Sequence, residues 1–146
     1  CYDYQGEESV VEKLGTFLWA KNTTFSDGIF STEAYAGDDD GFGLMYGIQN
    51  DSTYYRFSVD YQRSFARLVR VDNGKFTVLA ENLSYQPALA AWITLTIQRS
   101  GSNHVALVNG NPVLDANDNT FPQGSIALYS WGMDDMRFDN IVVYAE

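Results

Sequence analysis

Cysteine, histidine and long apolar runs are scarce in this sequence, and each scarcity argues against a class of protein. The one cysteine, Cys1, rules out a disulfide within the chain. The one histidine, His104, has no partner motif, which argues against a zinc site or a Ser-His-Asp triad. No apolar run approaches the roughly 20 residues of a membrane-spanning helix, so we predict no transmembrane segment.

Positive charge is also scarce. Nine Lys and Arg residues stand against 19 Asp and Glu residues, which gives a net charge of -10. Nucleic acids and anionic membrane surfaces are bound by clustered Lys and Arg side chains, so we expect no nucleic-acid partner. An acidic chain is compatible with neutral ligands, with cations and with an extracellular setting.

What the sequence does contain is a succession of short strand patterns. Its 146 residues and 45% hydrophobic content suit one folded domain, which we place at residues 1–146. Helical patterns are limited to two short turns, at 9–14 and 87–91. Apolar alternation and turn residues predict strands at 15–20, 28–36, 42–49, 54–62, 66–71, 75–81, 92–99, 104–108, 112–114, 124–131 and 138–144.

Tight turns join several of these predicted strands. Asn73-Gly74 and Asn109-Gly110 are the residue pairs that type I′ hairpin turns prefer. About eleven short strands with such turns predict an all-β fold, a two-sheet antiparallel β-sandwich of the jelly-roll, concanavalin A-like kind.

Three adjacent carboxylates, Asp38, Asp39 and Asp40, lie in one turn between two of these strands. Like charges this close repel each other, unless they are fully solvated or share a bound cation. Oxygen-only ligands suit calcium, which takes six to eight of them. The turn is therefore either a calcium site, completed by a second loop, or a solvated acidic turn.

A polar stripe along the strand at 54–62 is a candidate for ligand binding. Alternation puts Tyr54, Arg56 and Asp60 on one face, opposite a plainly apolar face. Arg70, or Arg67 if a bulge shifts the register, comes alongside from the next strand. Aromatic rings stack on sugars and planar polar groups bind their hydroxyls, so the stripe suits a glycan. The alternative is a set of cross-strand ion pairs that only fix the register.

Trp131 is followed by Gly132 in a predicted loop and is a second candidate for sugar stacking. A buried position is the alternative for Trp131, and it is the one that we expect for Trp19 and Trp92. Glycosidases of the sandwich class carry paired acids in the pattern E-x-D-x-(x)-E, which is absent here. No catalytic motif is found, and we expect no enzyme activity.

Segments across about three quarters of the chain resemble a known family. The matching segments are 37–43, 54–60, 67–71, 73–74, 108–110, 124–131 and 138–141. They are similar to bacterial extracellular concanavalin A-like, laminin-G-like jelly-roll domains, and more distantly to the C-terminal lectin-like domain of thrombospondins. The resemblance implies a secreted module with structural calcium. It also implies that an Asp near the last strand completes the metal site, either Asp139 or the pair Asp134 and Asp135.

These observations lead to one principal functional hypothesis and two alternatives. The principal hypothesis is a non-catalytic, calcium-stabilised, lectin-like module that binds a polysaccharide or other glycan. We expect it to be extracellular or at the cell surface, as one module of a larger secreted protein. The first alternative is an adhesion or spacer module with calcium but no glycan pocket. The second is a polysaccharide hydrolase or lyase, in which Asp60 or His104 would line a cleft.

Overall fold

Period-two alternation along the chain produces β-strands throughout the computed structural model, which describes residues 16–131 and 135–145. The eleven strands are β1 (Thr16–Phe25), β2 (Gly28–Ala36), β3 (Gly41–Asn50), β4 (Thr53–Asp60), β5 (Phe65–Asp72), β6 (Lys75–Asn82), β7 (Trp92–Ser100), β8 (Asn103–Val108), β9 (Asn111–Asn117), β10 (Gly124–Trp131) and β11 (Met136–Ala145). Among the described residues there is no helix of the length and apolarity needed to cross a membrane.

The strands form two antiparallel sheets, which confirms the predicted sandwich. One sheet has six strands in the order β1-β10-β3-β4-β5-β6, and the other has five in the order β11-β2-β7-β8-β9. Every strand position predicted from the sequence corresponds to one of these strands, although several strands are longer than predicted. β9, for example, runs over Asn111–Asn117 rather than 112–114.

Two hairpin turns follow the predicted chemistry. Asn73 and Gly74 both have positive φ values, of 47° and 82°, and Asn109 and Gly110 have values of 51° and 80°. A type I′ turn requires positive φ at both central residues, which Asn and Gly tolerate best. These turns fix the registers of the β5–β6 and β8–β9 hairpins.

The predicted helical turn at 87–91 is wrong. This segment is a bend, in which Ala90 has a positive φ of 55° and its N–H donates to the carbonyl of Ala36 at 2.9 Å. The backbone therefore bonds to the end of β2 instead of making local helical bonds. The other predicted helical turn, at 9–14, lies outside the described residues.

Apolar side chains from both sheets form the core between them. Its largest members are aromatic and aliphatic residues of β2, β3, β4 and β7, including Phe30, Phe42, Tyr55, Phe57 and Leu95. A second cluster comes from the six-stranded sheet alone, with Met45, Tyr54, Phe65, Tyr129 and Trp131 among its members. β4 is consequently buried on both of its faces. We call the face of the six-stranded sheet that carries this second cluster the outer face.

Candidate functional site

The outer face collects most of the side chains that the sequence predicted for ligand binding. Alternation along β4 directs Tyr54, Arg56 and Asp60 to this face, while Tyr55 and Phe57 enter the core. Trp131 arrives from β10 and lies in the same outer cluster. Tyr54, Arg56 and Asp60 thus share one face, as their alternation predicted, whereas Trp131 is the last residue of β10 rather than part of the predicted loop.

Arg70 is the exception, and the register between β4 and β5 gives the reason. Arg70 pairs with Tyr55, whose side chain is in the core, whereas Arg67 pairs with Ser58. Directly paired residues of antiparallel strands project to the same side of the sheet. Arg67 therefore joins Arg56 on the outer face. Arg70 points the other way, where it forms ion pairs with Asp72 at 2.8 Å and with Asp118.

The two outer-face arginines lie against aromatic rings. The guanidinium carbon of Arg56 is 4.5 Å from the centre of the Tyr129 ring and 5.5 Å from that of Phe76. Arg67 lies 4.2 Å from the ring centre of Phe65 and donates from Nε to Glu81 at 3.0 Å. Each guanidinium is thus held by a cation–π contact with a neighbouring ring.

The hydroxyl of Tyr54 and Nη1 of Arg67 are buried polar atoms of this face without a hydrogen-bond partner in the described part of the chain. Tyr54 is 0% exposed and burial raises the pKa of its hydroxyl, so the group remains a neutral donor and acceptor. A buried polar atom without a partner costs about 1–3 kcal/mol, which a bound hydroxyl would recover.

Arg63, which the sequence analysis did not single out, connects the acidic turn to the outer face. Its Nη1 donates to Asp40 at 3.0 Å and to Asp60 at 3.2 Å, and its backbone N–H donates to Asp60 at 2.9 Å. Its guanidinium carbon lies 4.6 Å from the ring centre of Trp131. Burial raises the pKa of Asp60, and the bonds and charge of Arg63 oppose that rise.

The acidic turn brings its three carboxylates together. One oxygen from each of Asp38, Asp39 and Asp40 lies within 4.8 Å of the other two. Burial raises the pKa of Asp39, as do its bond to Asp38 and the charges of Asp40 and Asp38. This set of oxygens suits a hard cation, although Asp40 also serves Arg63.

Asp135, which directly precedes the last strand, lies beside this turn, whereas Asp139 lies further along that strand. The N–H of Gly37 donates to the carbonyl of Asp135 at 2.8 Å, and a Cβ on Gly37 would lie 2.7 Å from a carboxylate oxygen of Asp135. Asp139 pairs with Glu33, further along the strand, and is exposed. Among the described acidic side chains it is not part of the converging group.

Comparison with known proteins assigns the chain to a family. A family model described as the 3-keto-alpha-glucoside-1,2-lyase-like domain matches residues 4–144. The chain belongs to this family. No curated protein matches the sequence of this lyase-like domain.

Solved structures share the fold of the lyase-like domain at low sequence identity. Carbohydrate-binding module CBM66 from Bacillus subtilis has a TM-score of 0.77 and 20% identity, over 86% of this chain and 78% of that one. The Caenorhabditis elegans galectin LEC-6 has a TM-score of 0.66 and 13% identity, over 89% and 90%. A Bacillus subtilis protein of unknown function with a galectin-like fold has a TM-score of 0.68 and 13% identity, over 88% and 76%. Identities this low show the fold alone.

The buried histidine belongs to the core and not to a cleft. His104 is 0% exposed, its Nδ1 lies 2.8 Å from the Tyr46 hydroxyl, and its Nε2 lies 2.7 Å from the carbonyl of Asp118. A carbonyl can only accept, so Nε2 carries the proton and Nδ1 accepts from Tyr46. Burial lowers the pKa of His104. Nε2 thus holds the loop that follows β9, and Nδ1 joins the ring to Tyr46 of β3.

Asp118 anchors that loop through three donors. It accepts from the Tyr55 hydroxyl at 2.5 Å, from the Thr120 N–H at 2.9 Å, and from Arg70. These bonds outweigh burial and lower the pKa of Asp118 to about 2. Sequence analysis had no signal for this network, because its members are distant along the chain.

Proposed function

We propose that this domain is a non-catalytic carbohydrate-binding module whose glycan site lies on the outer face of the six-stranded sheet. The observation that carries the proposal is the convergence of Tyr54, Arg56, Arg67 and Trp131 on that one face. The fold likeness to CBM66, a carbohydrate-binding module by name, and to galectins supports it. The ligand would be a polysaccharide or another glycan.

The chemistry of these side chains fits a sugar. Aromatic rings offer flat apolar surfaces to the C–H faces of a sugar ring, and guanidinium groups donate in pairs to its hydroxyl oxygens. The Tyr54 hydroxyl and Arg67 Nη1 each have hydrogen-bonding capacity that the described side chains do not use. A sugar hydroxyl would satisfy both kinds of group, since it both donates and accepts.

Burial of this face favours a second candidate function. Arg56 is 2% exposed and Trp131 is 6% exposed, as the hypothesis of an adhesion or spacer module without a glycan pocket predicts. A glycan would contact these groups only in a state in which the outer face is accessible. The two candidates therefore differ in one measurable property, which is whether the domain binds carbohydrate in solution.

We further propose that Asp38, Asp39 and Asp40 hold a calcium ion that stabilises the domain. The convergence of three carboxylate oxygens within 4.8 Å supports this. Calcium would neutralise the repulsion that helps to raise the pKa of Asp39. Because calcium takes six to eight oxygens, carbonyl groups or water would complete the set. Asp135 is nearer to the turn than Asp139 and is the better candidate for a fourth carboxylate.

An extracellular or cell-surface location, as one module of a larger secreted protein, is part of the same proposal. The net charge of -10 and the proposed calcium site both suit a calcium-rich exterior. Millimolar extracellular calcium would fill even a weak site.

The family description keeps a lyase acting on carbohydrate as a third candidate. The geometry supports it least. Both oxygens of Asp60 accept from Arg63, and both nitrogens of His104 are bonded within the core. Incubation of the domain with a 3-keto-α-glucoside, followed by product analysis, tests it directly, and we expect no turnover.

Calorimetric titration of two arginine variants tests the proposed site. Arg67→Lys keeps the charge but removes the planar fork on the outer face, so we expect glycan affinity to fall about tenfold or more. Arg70→Lys is the matched control, since Arg70 lies on the opposite side of the sheet. Loss of affinity in Arg70→Lys alone would contradict the outer-face site.

A further inference from the structure

A row of outward-facing side chains crosses the five-stranded sheet on the face turned away from the core. Tyr35 of β2 pairs directly with Trp92 of β7 on one side and with Arg137 of β11 on the other. Paired residues project to the same side of a sheet, so the three side chains stand next to one another. The row lies across three neighbouring strands, which are spaced about 4.8 Å apart.

The geometry of the row leaves one aromatic ring open. Trp92 is 47% exposed, contrary to the buried position expected from the sequence. Its ring centre is 5.7 Å from that of Tyr35, and the two planes meet at 51°, so the rings form a wedge. The guanidinium carbon of Arg137 lies 4.8 Å from the ring centre of Tyr35. Tyr35 thus has a neighbour in the row on each side, Trp92 and Arg137, whereas the Trp92 indole has only Tyr35 beside it in the row.

Planar polar groups are fixed beside these rings. Arg137 donates through two nitrogens to the two oxygens of Asp135, each at 3.1 Å. Asp135 is itself held where the acidic turn begins, since its carbonyl accepts from Gly37 at 2.8 Å. Arg137 has further N–H donors that this pair does not use, and its planar fork loses little entropy for each hydrogen bond that it forms.

The charges around the row select against an anionic ligand. The Arg137 cation is already compensated by Asp135. Glu33 and Asp139 form the next pair along the same two strands and project to the same face. The chain as a whole carries a net charge of -10. A ligand for this surface is therefore neutral, with an apolar face for the indole and hydroxyls for Arg137 and Asp135.

We propose that Trp92, Tyr35, Arg137 and Asp135 form a second carbohydrate-contact surface, which takes neutral sugars and is separate from the outer face of the six-stranded sheet. The proposal shares with the proposed function the premise that the ligand is a carbohydrate, but not the site. Sugar rings stack on Trp92, and their hydroxyls bond to the Arg137–Asp135 pair.

Nuclear magnetic resonance of the intact chain tests this surface. The indole N–H signal of Trp92 is assigned by its loss in Trp92→Phe, and the domain is titrated with cellohexaose, xylohexaose, mannohexaose, maltohexaose and inulin. We expect the Trp92 signal to shift with at least one of these sugars. In Trp92→Ala and Arg137→Ala, the affinity for that sugar falls about tenfold. Tyr144→Ala is the matched control, because Tyr144 is 71% exposed on the other end of β11.

The outcomes separate this proposal from the proposed function. If the wild type binds a sugar with no shift at Trp92, and Trp92→Ala binds it equally well, the second surface is overturned while the module remains a carbohydrate binder. If Trp92→Ala loses binding and Tyr54→Phe does not, the second surface is supported and the outer-face site is wrong. If the wild type binds none of these neutral sugars, the second surface is overturned, and a glycan array that includes acidic sugars decides the proposed function.

Discussion

The guanidinium carbon of Arg63 lies 4.6 Å from the ring centre of Trp131. The same guanidinium donates to Asp40 of the acidic turn and to Asp60 of β4. Two features that look independent in the sequence, a charged turn and a polar stripe, are therefore joined through one side chain. Calcium at the turn and a ligand on the outer face would both act on the position of Arg63.

Removal of Arg63 tests how much this junction stabilises the fold. Asp60 is 0% exposed and Asp40 is 1% exposed, so Arg63→Ala leaves two buried carboxylates without this cation. We expect a loss of about 3–5 kcal/mol in the free energy of unfolding, measured by denaturant titration. The exposed pair of Arg137 and Asp135 is the control, and Arg137→Ala is expected to cost about 1 kcal/mol or less. Equal losses in the two variants would contradict the buried role of Arg63.

Two adjacent tyrosines compare a hydroxyl that we propose binds ligand, that of Tyr54, with a structural one, that of Tyr55. The Tyr54 hydroxyl has no partner in the described chain, so Tyr54→Phe is expected to stabilise the free domain by about 1 kcal/mol and to weaken glycan binding. Tyr55→Phe removes the bonds to Asp118 and Phe121, so it is expected to destabilise the domain by about 1–3 kcal/mol with little effect on binding. Thermal melts and calorimetry measure both effects. Stability that falls in Tyr54→Phe would show that its hydroxyl is already satisfied.

Calcium stabilisation is tested by melting curves with and without a chelator. We expect calcium to raise the melting temperature of the wild type. The gain in the free energy of unfolding is up to about 2.7 kcal/mol at a calcium concentration a hundredfold above the dissociation constant. Asp39→Asn should abolish the rise, whereas Asp139→Asn should retain it because Asp139 lies along β11 opposite Glu33. A wild-type midpoint that does not respond to calcium would remove the metal proposal.

Acid sensitivity follows from His104. Burial lowers its folded-state pKa below 6.5, so the unfolded chain binds more protons just below that pH. Its contribution is complete above pH 6.5 and is lost as the pH falls toward the folded-state pKa, with a slope of at most about 1.4 kcal/mol per pH unit. His104→Gln should flatten the stability profile in this window. An unchanged profile would mean that other groups dominate it.

A second acid-labile contribution lies at lower pH. The pKa of Asp118 is lowered to about 2 from a model-peptide value of 3.8. Its contribution is complete above about pH 4 and is lost as the pH falls toward 2. We expect the free energy of unfolding, measured by denaturant titration at several pH values in this range, to depend more steeply on pH in the wild type than in Asp118→Asn. An equal pH dependence in both would show that Asp118 has the same pKa in the folded and unfolded states.

The strands and the two-sheet architecture were predictable because apolar alternation and Asn-Gly turns are local signals. The faces of β4 were predictable for the same reason. Burial of its polar face was not, since Arg56 and Asp60 have the pattern of an exposed edge and are buried only by tertiary packing. Arg67 rather than Arg70 lies on the outer face, because the register of β4 against β5 is set by the turn at 61–64 and cannot be deduced from composition.

The contacts that join distant segments were beyond sequence analysis. Arg63 lies in a turn without periodicity, and nothing near it in sequence points to Asp40 or Trp131. The row of Tyr35, Trp92 and Arg137 depends on three strands that meet only in the folded sheet. The sequence offered either Asp139 or the pair Asp134 and Asp135 as the acidic neighbour of the turn. The register of β11 against β2 places Asp135 beside Gly37 and Asp139 opposite Glu33, which no local pattern indicates.

Carbohydrate binding by this domain is tested most directly on a glycan array. The intact domain carries its label at a position outside both sheets. It is applied in calcium-containing buffer to neutral and acidic oligosaccharides and polysaccharides. We predict binding to at least one neutral glycan, confirmed by calorimetric titration and weakened by Arg67→Lys or Trp92→Ala. Absence of binding to every glycan, by a domain that melts cooperatively, would contradict carbohydrate binding and favour the spacer module.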